Sequence, residues 1–373
     1  MRIAIAGVRG VPGRYSGFET SAEETARRMQ HLGHQVTVYC RSRQANGEPA
    51  EYAGIKLIHL KVVRFSSLET IIHSITVGLH VALRGRDVDV VHMYNAASAF
   101  GGLIVRLAGK PLIMTLDGVE WEREKWGRFA RLIWKASTWL AVKISNSVVC
   151  DSQTVKNIFE EKYRTTIQYI PYGAKRIENT SDFYTRYGLE RSRYFIFVGR
   201  LVPEKGVDVL LDAYASAGTA LPLIIVGDND HDAEYVASLR SRARGDVRFL
   251  GYRYGEEYES LLVNSRAYIS ASKLEGTSPS LLAAMGARVC CLVRAIPENK
   301  ETGADAILYF DGTIADLAEK LRKTAENTDV LNEYASKGYE RVTSHYNWDF
   351  VTEEYLRAYG GVAESRSYPI DVS

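Results

Sequence analysis

No apolar run in this 373-residue chain approaches the roughly 18 residues that a membrane span requires, and the opening MRIAIAGVRG meets a glycine too early for a secretory signal. A cytoplasmic protein is the expectation. Cysteine is scarce: Cys40, Cys150, Cys290 and Cys291 sit in apolar strand-like runs without metal-ligand spacing, which argues against a disulfide scaffold or zinc module and for reduced core thiols. The chain also lacks a P-loop, a zinc-spaced Cys/His set and a G-x-S-x-G elbow. What is present is ordinary globular composition, 46% hydrophobic and 25% charged, long enough for two or three domain units. The net charge of +2 conceals an asymmetry. Residues 1–176 hold 25 Lys/Arg against 15 Asp/Glu, and the remainder holds 22 against 30. A basic first half suits an anionic partner.

Short apolar runs alternate with helical stretches along the first half: 2–8, 35–41, 55–61, 88–94, 111–117 and 146–152. The second half repeats the pattern at 194–200, 221–228, 247–252, 267–272, 288–293 and 306–310. Such runs fit parallel strands buried on both faces with crossover helices between them. The expected organisation is α/β: a doubly wound domain over 1–175, a polar linker over 176–193, a second doubly wound domain over 194–345, and a helix with a tail over 346–373. Ligands of such sheets bind at the carboxyl ends of the strands, in a cleft between tandem domains, so function is sought in the loops there.

The loop after the first run carries Gly7, Gly10, Gly13 and Gly17 before a helix, with Arg9 and Arg14 available for a phosphate. The spacing is not G-x-G-x-x-G, and the second run ends in Cys40-Arg41-Ser42-Arg43 rather than an acid, which demotes a nicotinamide enzyme. In the second half, Gly199-Arg200-Leu201-Val202-Pro203-Glu204-Lys205-Gly206 opens a helix, and its two cations suit a diphosphate. Ser272 to Ser280 then brings small residues and hydroxyls to another helix start. The first stretch alone reads equally well as a surface turn, and the second is a further phosphate-cradle candidate.

In this order and spacing, Gly199-Arg200…Glu204-Lys205-Gly206 and Glu275-Gly276-Thr277-Ser278 resemble the retaining glycosyltransferases of family 4, which have the GT-B fold. Arg9-Gly10-Val11-Pro12…Gly17-Phe18-Glu19-Thr20 and Asp117-Gly118-Val119-Glu120-Trp121 look like a bacterial branch that includes rhamnosyltransferases of surface polysaccharide assembly. The similarity spans nearly the whole chain. It implies two Rossmann-like domains, with the terminal helix crossing back to the first. The implied reaction moves a hexose, rhamnose among the candidates, from a nucleoside diphosphate to a glycan or lipid-linked acceptor, without metal or other cofactor. Arg200 and Lys205 would hold the diphosphate, with Gly276, Thr277 and Ser278 adding N–H donors. Glu275 would contact the hydroxyls of the transferred sugar, and Gly251 and Tyr252 would border the base. Gly17, Phe18 and Glu19 would approach donor phosphates or acceptor, and Asp117 is a second catalytic candidate.

One position departs from the family. Its E-x7-E motif puts a second glutamate where this chain has Ala283, and alanine offers no acceptor to the ribose hydroxyls. Natural variation, a weakened transferase and an introduced Glu→Ala change all fit. A nucleotide-sugar binder is therefore an alternative, and a nucleotide-sugar epimerase is another on fold analogy alone.

Two weaker signals remain. Asp228-Asn229-Asp230 spells a metal motif but follows a strand, so a loop without metal is expected, and His92 reads as a core histidine. Trp126, Arg128, Arg131, Trp134 and Lys135 give a basic, tryptophan-rich helix of the kind that lies on anionic membranes, which would place the protein peripherally at the inner face. No nucleic-acid partner is expected.

Overall fold

A computed structural model describes residues 1–13, 17–42, 48–62, 68–116, 118–122, 127–178, 181–229 and 232–364. The chain divides into two compact units, one of Met1–Tyr172 with Trp348–Ser373, the other of Gly173–Asn347.

In the first unit the strands are β1 (Arg2–Ala6), β2 (Gln35–Ser42), β3 (Glu51–Tyr52), β4 (Ile55–Lys61), β5 (Val90–Tyr94), β6 (Leu112–Leu116), β7 (Ser147–Cys150) and β8 (Gln168–Tyr169). They form one sheet in the order β3-β4-β2-β1-β5-β6-β7-β8, parallel except for the β3–β4 pair. Its helices are α1 (Gly17–His31), α2 (Glu69–Arg84), α3 (Ala99–Leu107), α4 (Arg128–Ile144) and α5 (Gln153–Tyr163). The central strands are mostly apolar because both faces are covered: Val90–Tyr94 and Leu112–Leu116 are buried at every residue, the polar His92 and Thr115 included.

The second unit contains β9 (Phe195–Val198), β10 (Leu223–Val226), β11 (Val247–Gly251), β12 (Ala267–Ser270), β13 (Cys290–Arg294) and β14 (Leu308–Phe310), all parallel, in the order β11-β10-β9-β12-β13-β14. Its helices are α6 (Val207–Ala217), α7 (Ala233–Arg242), α8 (Gly255–Val263), α9 (Pro279–Gly286), α10 (Pro297–Gly303), α11 (Ile314–Glu326) and α12 (Thr328–His345). Phe195, Phe197, Leu210, Ile225, Ile269 and Leu292 form the heart of its core. All four cysteines are buried and free.

The last helix, α13 (Trp348–Glu364), is part of the first unit. Trp348, Val351, Thr352, Tyr355, Tyr359 and Val362 make its buried stripe at helical spacing. His92 on β5 fixes it, with Nδ1 2.7 Å from the Tyr359 hydroxyl and Nε2 2.7 Å from Thr115 Oγ1. Burial lowers the His92 pKa to about 3, so the ring is neutral, as a core histidine should be.

The stretch expected as a linker, 176–193, is instead built into the second unit. The Ile177 N–H donates to Gly286 O at 3.2 Å, Tyr184 N–H to Ser260 Oγ at 3.3 Å, and Tyr187 pairs through its hydroxyl with Glu257. Its polar composition concealed this because the anchoring is by backbone and hydroxyl groups, apart from buried Ile177 and Leu189. The two-residue strands β3 and β8 were also not expected, being too short to show a periodicity.

Candidate active site

Chain direction across the second sheet reverses between β9 and β12, and such a reversal opens a crevice beyond the carboxyl ends of the two strands. The loops that leave those ends are 199–206 and 271–278, which hold Arg200, Lys205, Glu275, Gly276, Thr277 and Ser278.

These loops are pressed together. Gly206, with φ of +63°, closes the short turn Pro203–Lys205 and starts α6; a Cβ there would lie 2.3 Å from Ala271 O, so only glycine fits. The Lys273 N–H donates to Glu204 O at 2.8 Å. Close approach of the backbones brings the Lys205 ammonium into an ion pair with the Glu275 carboxylate, whose side chains are only 19% and 10% exposed. Arg200, half-buried, leaves the end of β9 five residues before Lys205.

Ser278 takes the N-cap position of α9 without a side-chain capping hydrogen bond, and Pro279 follows in the first turn. That geometry presents the free N–H groups of a helix start, with its positive dipole end, beside Gly276 and buried Thr277 and Ser278. A cation pair, a helix N-terminus and one carboxylate that can exchange its lysine for sugar hydroxyls suit a sugar diphosphate. Ala283 stands on the same helix. It is partly exposed, whereas Leu281, Leu282, Ala284 and Met285 around it are buried.

On the neighbouring strands, Gly251 ends β11 at φ of +70° and turns the chain to Tyr252, whose hydroxyl donates to Asp228 O at 3.0 Å. The Tyr252 ring stacks on Tyr254 with centroids 6.2 Å apart and planes at 16°, an aromatic face at the sheet's carboxyl edge. Asp228 is occupied locally, its carboxylate accepting the Asn229 N–H at 2.8 Å; Asp230 lies outside the described residues.

Two acids had no role assigned from sequence: Glu204, present only as part of its motif, and Glu298. Glu204 is buried, and neither carboxylate oxygen has a hydrogen-bond partner among the described residues. Glu298, in the first turn of α10, has its carboxyl pushed up by burial, with the charge of Glu275 adding to the effect. The only signal for Glu298 was a Pro-Glu pair at a strand-to-helix turn.

The first unit places Gly17, Phe18 and Glu19 at the start of α1, and it uses the latter two internally. Phe18 is buried, its ring 5.2 Å from that of Tyr94, and buried Glu19 accepts the Arg9 N–H at 3.0 Å. The Glu19 contact braces the described first part of the glycine loop. Gly7 at its start has φ of +84° and no room for a Cβ, which would fall 2.0 Å from Tyr94 O. Asp117 and Trp126 lie outside the described residues. On α4, Arg128, Phe129, Arg131, Leu132, Lys135 and Trp139 are exposed, Trp134 is half-buried, and Ser137, Thr138, Ala141 and Val142 face inward.

Comparison with known proteins assigns the two halves separately. Residues 186–341 match the family model of glycosyl transferases group 1, and residues 1–175 match a domain of unknown function, DUF1972. An uncharacterized glycosyltransferase of Methanocaldococcus jannaschii is 22% identical over 343 residues, 89% of this chain and 91% of its own length. O-antigen chain mannosyltransferase C of Escherichia coli is 25% identical over 244 residues, 62% of this chain and 63% of its own. Anabaena HepE in complex with UDP-glucose has a TM-score of 0.79 at 16% identity, covering 97% of this chain and 100% of that one, a likeness of fold. The fold is thus GT-B, with two Rossmann-like sheets, and the second unit carries a group 1 glycosyltransferase domain. The chain is a transferase enzyme, a glycosyltransferase.

Proposed function

We propose that the protein is a retaining hexosyltransferase that moves a sugar from a nucleoside diphosphate donor to a glycan or lipid-linked acceptor in polysaccharide biosynthesis. The observation that carries this reading is the Lys205–Glu275 pair between the two loops at the sheet reversal, beside Arg200 and the start of α9. Arg200, Lys205 and the N–H groups around Gly276, Thr277 and Ser278 stabilise the negative charge that grows on the departing diphosphate as the bond from the anomeric carbon breaks. Glu275 receives the hydroxyls of the transferred sugar, and Tyr252 and Gly251 border the base. These cations meet the diphosphate charge without a metal ion. The resemblance of the amino-terminal motifs suggests rhamnose as the sugar, and that of the Gly199–Gly206 and Glu275–Ser278 motifs suggests retention as the stereochemical outcome.

The basic, apolar outer face of α4 supports peripheral contact with an anionic membrane, where a lipid-linked acceptor resides. No helix among the described residues is long and apolar enough to cross one.

The test is turnover with a panel of UDP-, GDP- and dTDP-sugars and lipid-linked oligosaccharide acceptors, read by nucleoside diphosphate release and by NMR of the anomeric proton in the product. Acceptor-dependent release with the donor's anomeric configuration preserved is expected. Ala283 favours a second reading, a nucleotide-sugar binder without transfer, which binding without turnover across the panel would establish. Interconversion of free nucleotide sugars without acceptor would mark an epimerase and overturn the transfer reading.

A further inference from the structure

The second unit has a cavity of about 650 Å³ at the opposite edge of its sheet from the donor loops. Arg266 and Val289, which line it, directly precede β12 and β13, and Ser192 lies three residues before β9, whereas loops 199–206 and 271–278 follow β9 and β12. The four residues of β9 alone put roughly 13 Å between the two edges.

The lining is strongly cationic: Arg176, Arg191, Arg266 and Arg288 against a single carboxylate, Glu178. Arg266 is committed to the fold, its Nε donating to Thr324 O at 2.6 Å. Arg176, Arg191 and Arg288 make no ion pair with a carboxylate among the described residues. The Arg288 guanidinium lies over the Tyr339 ring at 4.1 Å, which orients its plane without neutralising its charge. Two non-glycine residues of this rim, Ser192 at φ of +57° and Arg288 at +54°, hold left-handed backbone, so the surrounding structure over-determines their positions. Burial lowers the Arg266 pKa, and the nearby charge of Arg193 adds to the effect.

Guanidinium forks with no protein carboxylate to bind, arranged around a concavity of small-molecule size, match a phosphate ester rather than an apolar ligand. We propose that this cavity is a second ligand site, distinct from the donor loops, that binds a small phosphorylated metabolite through Arg176, Arg191 and Arg288. Helix α9 runs from the donor loop at Ser278 to Ala287, next to Arg288, so one element touches both sites.

The probes are inorganic phosphate and glucose 6-phosphate, titrated calorimetrically into the full chain, into Arg176→Gln/Arg288→Gln and into Arg200→Ala/Lys205→Ala. Saturable binding is expected in the full chain and, within about twofold, in the Arg200/Lys205 variant. The cavity variant should bind about tenfold or more weakly, the loss of charge-assisted contacts. Arg191→Gln, a single change at an exposed side chain, should show a smaller loss, and unchanged melting temperatures would show that the fold is intact. Tighter binding of glucose 6-phosphate than of phosphate identifies an ester site, and equal affinity a free-phosphate site. The proposal fails if neither probe binds saturably below about 10 mM, if the cavity variant binds as the full chain does, or if binding disappears with Arg200 and Lys205 instead.

Discussion

Replacing Ala283 with glutamate should tighten donor binding, and the structure limits what the replacement costs. Position 283 lies in the second turn of α9 with its side chain partly open, flanked by Leu281, Leu282, Ala284 and Met285, which face the core. A longer side chain there extends outward and displaces none of them. Exchanging alanine for glutamate in a helix costs only a few tenths of a kcal/mol in propensity, and the carboxylate near the carboxyl end of this short helix adds a similar small penalty. On the favourable side, a carboxylate that accepts hydrogen bonds from ribose hydroxyls contributes about 1.5 to 3 kcal/mol, or roughly 10- to 150-fold in affinity. Calorimetric titration with the nucleotide sugar, steady-state turnover and thermal melting, performed on both proteins, separate the possibilities. The expected result is affinity at least tenfold tighter, faster transfer, and a melting temperature lowered by no more than a few degrees. Unchanged affinity with a large drop in melting temperature would refute the reasoning, because it would mean that position 283 packs against protein rather than facing the donor.

Three further outcomes follow from the same structure. The exposed face of α4 should bind anionic liposomes in a salt-sensitive way, and Arg128→Gln/Arg131→Gln/Lys135→Gln should reduce sedimentation with them; equal sedimentation with neutral and anionic vesicles at all salt concentrations would remove the membrane contact. Gly206→Ala should destabilise the protein by about 1 to 3 kcal/mol in urea unfolding, since both the backbone angle and Ala271 O oppose a side chain; an unchanged midpoint would contradict the packing described. His92 is neutral when folded, with a pKa near 3, while the unfolded chain takes up its proton near pH 6.5, so stability should fall as pH drops from about 6.5 to 3 by roughly 1.4 kcal/mol per pH unit from this residue. His73, lowered to about 4 chiefly by burial, adds to the slope, and a His92→Gln variant whose melting temperature falls as steeply with acid would exclude the assignment.

The long buried strands were legible because a parallel strand covered on both faces has no polar side to disguise it: Ile3–Ala6 and Phe195–Phe197 announce themselves as apolar runs. The close approach of loops 199–206 and 271–278 was legible at Gly206, where backbone crowding leaves room for glycine alone, and Lys205 and Glu275 were legible as residue types within those loops. Their pairing across 70 positions was not, because ion pairs between loops depend on the order of strands in the sheet, which no local pattern encodes. Glu298 was passed over for the same reason: its proximity to Glu275 arises from the adjacency of β12 and β13. Phe18 and Glu19 were legible as part of a glycine-rich loop, but their partners were not: the Tyr94 ring and the Arg9 N–H meet them through strand order and loop path.

The central claim is that the loops after β9 and β12 hold the diphosphate of a nucleotide sugar, and calorimetry with UDP, GDP and dTDP addresses it most directly. One of these nucleotides should bind the chain saturably, and Arg200→Ala and Lys205→Ala should each weaken that binding by about 10- to 150-fold, the loss of one charge-assisted contact, with cooperative melting retained in both and some loss of melting temperature in Lys205→Ala, which leaves Glu275 unpaired. Equal affinity in the parent chain and both variants would contradict the account.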